Sequence, residues 1–466
     1  MRGTHLTALL LALLFILTAF PTGQAYAQTS IPSPDKDPFY TPPAGYKALP
    51  NGSVLASRKI NAEFLTPFLS TAVVSQYGIM AAKFLPTITQ LQNLKINAYQ
   101  VLYKSTDSHD QPVAEAATVL VPQGSWTGGG TRPLISYQLD EDSVTASCEP
   151  SYTLRTGLLA QQGGAGTAGQ FEVSLSLAAL LQGYALVYAD YEGPQSQWIA
   201  GLQEGHAVLD GIRAVLDYAP AGLAAKTPVG LWGYSGGAGA TGWAAEQAQM
   251  YAPELNIVGA AIGANPNADL AKMYLRNDGT LVDGLLVMAI VGLDRAFPEA
   301  GIDSYLNAAG QKLLAGAQNE CTIQAAITYA FTGPIENYTI NPAVKIPDSA
   351  PGHIIFPANS LVNQPLIPTM PLLNYHDEFD ELVPVAADDE LALKYCQAGA
   401  SVEVVRTSTP TPFVALVHVA GEIESELPAL TYLGNRFKNL PPRNDCPAAA
   451  KWSTGNGLPY YPGVTQ

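Results

Sequence analysis

Short apolar runs alternate with helical stretches along most of this chain, and that alternation restricts the fold more than any other feature. The runs are RPLISYQLD (132–140), GYALVYADYEG (183–193), PVGLWGYS (228–235), IVGAAIGAN (257–265), MPLLNYHDEFD (370–380) and SVEVVRTS (401–408). Between the second and third lies WIAGLQEGHAVLDGIRAVLDYA, with apolar residues at helical spacing. Continuous apolar strands separated by helices belong to a parallel sheet that is covered on both faces. Upstream, NAYQVLYKSTD (97–107) and VAEAATVLVP (113–122) flank SHDQ, which predicts an antiparallel hairpin on the edge of that sheet.

The spacing breaks once. About a hundred residues separate Asn265 from Met370 without a sheet strand, running through GLLVMAIVGLDRAF and IQAAITYAFTGP to a proline-rich exit. An insertion of this size after a sheet strand is read as a helical cap or lid over 266–369, with a second independent domain as the alternative. It divides the core into 51–265 and 370–440, followed by a tail over 441–466. The first residues, MRGTHLTALLLALLFILTAFPTGQAYA, have the n-region, h-region and A-x-A site of a secretory signal over 1–27. Its apolar run is shorter than the ~20 residues that a spanning helix needs. A soluble, exported, extracellular protein is therefore expected, with no transmembrane segment. Residues 28–50 are proline-rich and read as an extended arm lying on the body.

Export gives the cysteines their meaning. Cys148, Cys321, Cys396 and Cys446 are widely spaced and even in number, which in an oxidising compartment predicts two disulfides, with three connectivities open. No C-x-x-C or H-E-x-x-H is present, so neither metal nor cofactor is expected. The formal net charge of −16 argues against nucleic acid as a partner. Only 13% of residues are charged and 47% are hydrophobic, enough apolar material for a large core.

Two chemistries compete for VGLWGYSGGAGATGWAAEQAQ (229–249). Gly233-Tyr234-Ser235-Gly236-Gly237 fits G-x-S-x-G, the nucleophile elbow of α/β-hydrolases, and Gly237 to Gly242 fits the dinucleotide pattern G-x-G-x-x-G. A dinucleotide fold wants an acid about twenty residues on, where this chain offers Asn265 and Asn267. A second G-x-G-x-x-G at 164–169 is followed by a strand ending in Asp190, but SYTLRTGLLAQQ before it is no buried strand. The elbow reading is preferred, with Ser235 as nucleophile rather than a helix cap.

Elbow enzymes order their partners serine, then acid, then histidine. His353, His376 and His418 follow Ser235. His353 lies in the cap's exit, and His376 is too close to the neighbouring acids to leave a strand between acid and base. His418 follows the last strand and precedes a helical stretch, which is where a base is expected; a satisfied core histidine is the alternative reading. Asp377 and Asp380 compete for the acid, and Asp380, on the loop before DELVP, is preferred.

With these residues in view the chain resembles the secretory lipases of the Candida lipase A type. The resemblance is carried by DPFYTPP, SYQLDEDSVTASCEPSY, ADYEGPQSQWIAGLQEGHAVLDGIRA, GYSGGAGATGWAAEQAQMYAPELNIVGAAIG and DELVP, over nearly the whole mature chain. It implies an α/β-hydrolase fold with a Ser235, Asp380, His418 triad. It also implies oxyanion donors from the backbone N–H of Asp142 and Gly236, although no H-G-G-G motif is present. Pairing of Cys148 with Cys321 and of Cys396 with Cys446 is a further implication. The substrate is expected to be an acyl ester of a lipid, triacylglycerol foremost, met as a monomer at an oil–water interface. A short-chain or specialised carboxylesterase or deacetylase is the alternative, and a non-catalytic binding protein a remote one. The chain departs from the family around PFVALVHVAGEIE and in a short tail after Cys446.

Overall fold

Nine strands join in one sheet in the computed structural model, which describes residues 31–61, 94–156, 169–408 and 417–451, and their side chains apart from 169–171, 174 and 449–451. They are β1 (Val54–Ile60), β2 (Ile96–Thr106), β3 (Pro112–Pro122), β4 (Leu134–Gln138), β5 (Ala185–Ala189), β6 (Val229–Tyr234), β7 (Ile257–Gly263), β8 (Leu372–Asp377) and β9 (Val402–Thr407). Their spatial order is β1-β2-β3-β5-β4-β6-β7-β8-β9. The β1–β2, β2–β3 and β3–β5 pairs are antiparallel, and every pair from β5–β4 to β8–β9 is parallel. All six apolar runs contain strands, each trimmed at one or both ends. The hairpin is also present, in a register that sets Thr106 opposite Pro112.

The strand interiors explain why these runs pair. Every residue of β4, β5, β6 and β8 is buried, so each strand has two apolar faces to cover. Helices α1 (Gly201–Asp217) and α2 (Ser235–Tyr251) cover one face. Fully burying a single valine or leucine there contributes about 1.5–3 kcal/mol. The two helices approach closely because glycines face the Trp243 region: a Cβ on Gly205 would meet the Trp243 carbonyl carbon at 2.9 Å.

Between β7 and β8 no strand of the sheet occurs. The principal helices there are α3 (Leu270–Asn277), α4 (Asp283–Ala296) and α5 (Ala350–Asn359). They bury an apolar cluster of their own, built on Leu286, Met288, Val291 and Phe356. That cluster also takes in Val144, Trp198, Ile199 and Ala200 from the preceding part of the chain. Sharing a core in this way ties the inserted segment to the sheet body, unlike a separate domain joined by a linker. After β8 come α6 (Val385–Gln397) and, beyond β9, α7 (Val417–Phe437), whose Leu430 and Leu433 cover the second face.

Two covalent links hold this arrangement. Cys148 is bonded to Cys321, joining the loop after β4 to the inserted segment, and Cys396 to Cys446, joining α6 to the chain beyond α7. The described part of the arm is pinned to the body by Asp37, which accepts from Arg58 at 2.6 Å and Arg155 at 2.8 Å, while Phe39 is buried. The signal over 1–27 and the tail beyond 451 lie outside the described residues.

Candidate active site

In an open parallel sheet, chemistry gathers at the carboxyl ends of the strands. The chain leaves β4 into a loop carrying Asp142, leaves β6 at Ser235, leaves β8 toward Asp380, and enters α7 after β9 at His418. Four separate connections therefore converge on one end of the sheet.

Ser235 is the first residue of α2 and has a φ of +52°, a left-handed conformation that a serine adopts only when its surroundings enforce it. The enforcement is steric. A Cβ on Gly233 would lie 2.3 Å from the Gly237 carbonyl oxygen, and one on Gly237 would lie 2.0 Å from the Gln138 carbonyl oxygen. Strands β4 and β6 and the start of α2 thus touch through backbone alone. Thr241 fastens the turn from inside the helix, donating to the Gln138 side chain at 2.7 Å and to the Gly237 carbonyl at 2.8 Å. The G-x-G-x-x-G overlapping this turn is buried helix. Apart from Gly169, the second such motif lies outside the described residues. Asp190, the acid that a dinucleotide reading would need, is buried and accepts from the Ser151 N–H at 2.8 Å and the Ser151 hydroxyl at 2.5 Å.

The Ser235 hydroxyl oxygen lies 2.9 Å from His418 Nε2, and His418 Nδ1 lies 2.7 Å from Asp380 Oδ2. All three residues are buried. The other Asp380 oxygen accepts the backbone N–H groups of Leu382 and Val383, both at 2.8 Å, which orients the carboxylate. His418 is the second residue of α7, so the helix begins one residue before it. Glu381, beside Asp380, accepts the N–H groups of Val417 at 3.0 Å and His418 at 3.2 Å. A carboxylate at a helix N-terminus is favourable, and here it locks the loop carrying Asp380 to the helix carrying His418. Of the rejected candidates, Asp377 accepts from Phe379 N–H and the Thr407 hydroxyl, and His353 is exposed on α5. His376 does not reach Ser235; it is bonded to Asp380.

Asp142 stands against Gly236, close enough that a Cβ on that glycine would meet Asp142 Oδ1 at 1.8 Å. Its backbone φ is +28°. The inserted segment holds this loop in place. Thr322 donates to the Asp142 carbonyl at 2.8 Å, Val144 N–H donates to the Glu320 carbonyl at 3.0 Å, and Arg295 donates to the Val144 carbonyl at 2.8 Å. Gly236 lies in the first turn of α2, where backbone N–H groups have no partner within the helix. Among the described residues, the Asp142 N–H donates to no protein acceptor either.

The electrostatics of the site follow from burial. Burial pushes the Asp142 carboxyl well above the usual carboxylate range, and neighbouring Asp140 pushes it further. Burial works against the His418 imidazolium, but Asp380, followed by Glu381 and Asp140, outweighs it and raises the pKa. Burial opposes the Asp380 charge as well, yet His418 and His376 hold its carboxyl well below the usual range. A base must be neutral to accept a proton. The acid limb of kcat/KM is therefore expected above the ordinary histidine value of about 6.5, as read from a pH–rate profile on a soluble ester.

Buried carboxyls elsewhere make a second pH prediction. Burial raises Asp190 and Glu246 to about 7, and Glu204 and Glu422 to about 8. The unfolded chain ionises these groups near pH 4. Their contribution is therefore fully present below pH 4 and is lost as pH rises through 7 to 8, at roughly 1 kcal/mol per pH unit and group. Asp380 acts in the opposite sense, losing its contribution only in strong acid. The Tm should fall between pH 5 and pH 8, and calorimetry across that range checks it.

A model of secretory lipases matches residues 161–445, and that match covers more than half of the chain. The chain belongs to the secretory lipase family. Among sequence relatives, the Mycobacterium tuberculosis protein named "Probable inactive lipase MT1628" is 34% identical over 417 residues, covering 88% of this chain and 83% of the relative. The "Secreted triacylglycerol lipase LIP3" of Malassezia restricta is 30% identical over 397 residues, covering 84% and 78%. Among solved structures, Candida antarctica lipase A in its closed state superposes with a TM-score of 0.75 at 29% identity, covering 89% of each chain. The fold is that of the α/β-hydrolases, and the family is one of carboxylic ester hydrolases.

The structure brings Ser235, His418 and Asp380, which the sequence singles out, into one chain of contacts. Sequence reasoning missed His376 as a partner of Asp380, Asp388 behind it, Glu381 as the link to α7, and Thr322 on the Asp142 loop. Proximity in sequence was a usable signal for His376 and Glu381, each within four residues of Asp380. For Thr322, 180 residues from Asp142, no local signal existed.

Proposed function

We propose that this secretory lipase family member is an exported triacylglycerol lipase using Ser235 as nucleophile, His418 as base and Asp380 as the orienting acid. The observation that carries the reading is the continuous chain of contacts, 2.9 Å from Ser235 to His418 and 2.7 Å from His418 to Asp380, on a strained serine. In the first step His418 Nε2 takes the hydroxyl proton as the serine oxygen attacks the ester carbonyl carbon. Asp380 fixes the Nδ1–H tautomer and stabilises the imidazolium. The N–H groups of Asp142 and Gly236 receive the oxyanion, each donor typically contributing about 3 kcal/mol. Collapse of the tetrahedral species returns the proton to the leaving alcohol, and water then releases the fatty acid by the same route.

We read the inserted segment as the cap over this site. An apolar cavity of about 70 Å³ lies within it, lined by Leu286, Leu293, Leu306, Ile355 and Phe356 among others. Its lining is mostly apolar and comes from the inserted segment alone, which accords with a cap that offers apolar surface to an acyl chain. The amino-terminal segment read as a signal, and the absence of a membrane-length apolar helix among the described residues, accord with export. Hydrolysis of nitrophenyl esters from two to sixteen carbons, and of emulsified triolein, tests the reading. Cleavage of long chains and of triolein is expected. Activity confined to short chains would instead favour the carboxylesterase reading with the same residues. The mycobacterial relative's name favours a non-catalytic alternative, and inertness on every ester would establish that one.

A further inference from the structure

Two imidazoles meet on one oxygen of Asp380. His418 Nδ1 lies 2.7 Å from Asp380 Oδ2, and His376 Nε2 lies 3.1 Å from the same atom. The opposite ring nitrogen of His376 is 2.7 Å from Asp388 Oδ2. The side chains of His376, Asp380 and Asp388 are wholly buried. Asp388 sits in the first turn of α6, and its Oδ2 also accepts the Asn265 N–H at 3.1 Å, so this second carboxylate is itself oriented. Arg406, opposite His376 in the β8–β9 register, directs its guanidinium to Asp389 at 2.7 Å.

A neutral imidazole donates from one nitrogen only, whereas an imidazolium donates from both. His376 faces a carboxylate oxygen at each nitrogen. Burial works against its charge, but Asp380 and Asp388 outweigh that and push the pKa up to about 9. A triad needs one histidine on its acid, and the ordinary requirement leaves this second one unexplained.

We propose that His376 is a positioning residue for the catalytic acid, a buried cation that, oriented by Asp388, clamps Asp380 Oδ2 beside His418 and moderates the basicity of His418. The proposal rests on the triad reading above. Three acids raise the affinity of His418 for its proton: Asp380, Glu381 and Asp140. A general base works best with a pKa near the operating pH. A positive charge on the same Asp380 oxygen offsets part of that pull and keeps His418 neutral at lower pH.

The test compares wild type with His376→Gln, whose amide nitrogen can still donate to Asp380 but carries no charge. The rate of Ser235 phosphonylation by a nitrophenyl alkylphosphonate is followed against pH. The acid limb in the variant should move up by about half a unit to one unit, with the rate near neutrality falling several-fold and partly recovering at higher pH. A merely structural histidine would lower the Tm and the amplitude but leave the limb in place, and a coincident limb in a folded variant overturns the proposal. A second measurement needs no variant. With ¹⁵N-labelled histidine in the wild-type protein, one ring buried from solvent should carry protons on both nitrogens at pH 8. Finding every buried histidine neutral at that pH overturns it equally. If wild-type Ser235 is not phosphonylated at any pH, the triad reading fails instead, and the two failures are distinct.

Discussion

Replacing Ser235 by alanine should abolish ester hydrolysis, with kcat/KM down by about 10⁴-fold or more while the fold persists. The size follows from the division of labour in the site. On the proposed mechanism, removing the oxygen leaves the Asp142 and Gly236 N–H groups and the inserted segment in place, so some polarisation of the carbonyl survives. The covalent intermediate, however, no longer forms, and His418 has no oxygen to deprotonate. A 10⁴-fold loss corresponds to about 5–6 kcal/mol of transition-state stabilisation. The stability should not fall, because Ser235 is held in a left-handed conformation by the glycines around it and, among the described residues, its hydroxyl hydrogen-bonds only to His418. Circular dichroism and a melting curve on the same preparation separate a dead site from an unfolded chain. A variant retaining wild-type rates would remove Ser235 from the mechanism.

The second large effect is expected at Gly237→Ala. This residue is not a reacting group, and its importance is geometric. Its added Cβ would fall 2.0 Å from the Gln138 carbonyl oxygen and 2.8 Å from the Gln138 carbonyl carbon, both backbone atoms of the central strand β4. Backbone inside a paired strand cannot give way as a flexible side chain does. Overpacking typically costs about 1–3 kcal/mol, and a clash with strand backbone falls at or above the top of that range, a large part of a domain's net stability of about 5–15 kcal/mol. The strain also falls where Gln138 leads into the Asp142 loop, so any folded fraction should lose activity. Gly129→Ala, where a new Cβ meets nothing within 4 Å, serves as control. Loss of soluble expression or a lowered Tm for the first, with a near-native second, is the expected pair of results. A Gly237→Ala protein as stable and active as wild type would contradict the elbow geometry.

These effects show where sequence carries structural information and where it does not. The six apolar runs became strands because a buried parallel strand must be apolar on both faces, so the signal is local and strong. Strand β1 was missed, because VLASRKI is a half-exposed edge carrying Arg58 and Lys59, with little apolar contrast to read. The elbow was legible because its glycines are demanded by close backbone approach, a constraint written in consecutive residues. Asp377 is the last residue of β8 and accepts from Phe379 and Thr407, whereas Asp380 lies beyond the strand end and contacts His418. His376 contacts Asp380 and not Ser235, so its nearness to the acids marks a partner of Asp380, which the order of serine, acid and histidine along the chain does not reveal. The contacts of Thr322, Arg295 and Glu320 with the Asp142 loop join residues 150 to 180 positions apart, and only the folded chain brings them together.

The central claim, that Ser235 is the nucleophile of this lipase-family chain, is tested most directly by trapping it. Wild-type protein would be incubated with a nitrophenyl alkylphosphonate, and the adduct located by mass spectrometry of the proteolysed chain. Phosphonate transfer balances as attack by the serine oxygen on phosphorus and departure of nitrophenolate, so released nitrophenolate counts the sites. One equivalent released, one adduct on the peptide containing Ser235, and loss of esterase activity in the same proportion are the expected results. Inactivation with the adduct on another residue, or activity that survives full labelling of Ser235, would contradict the account.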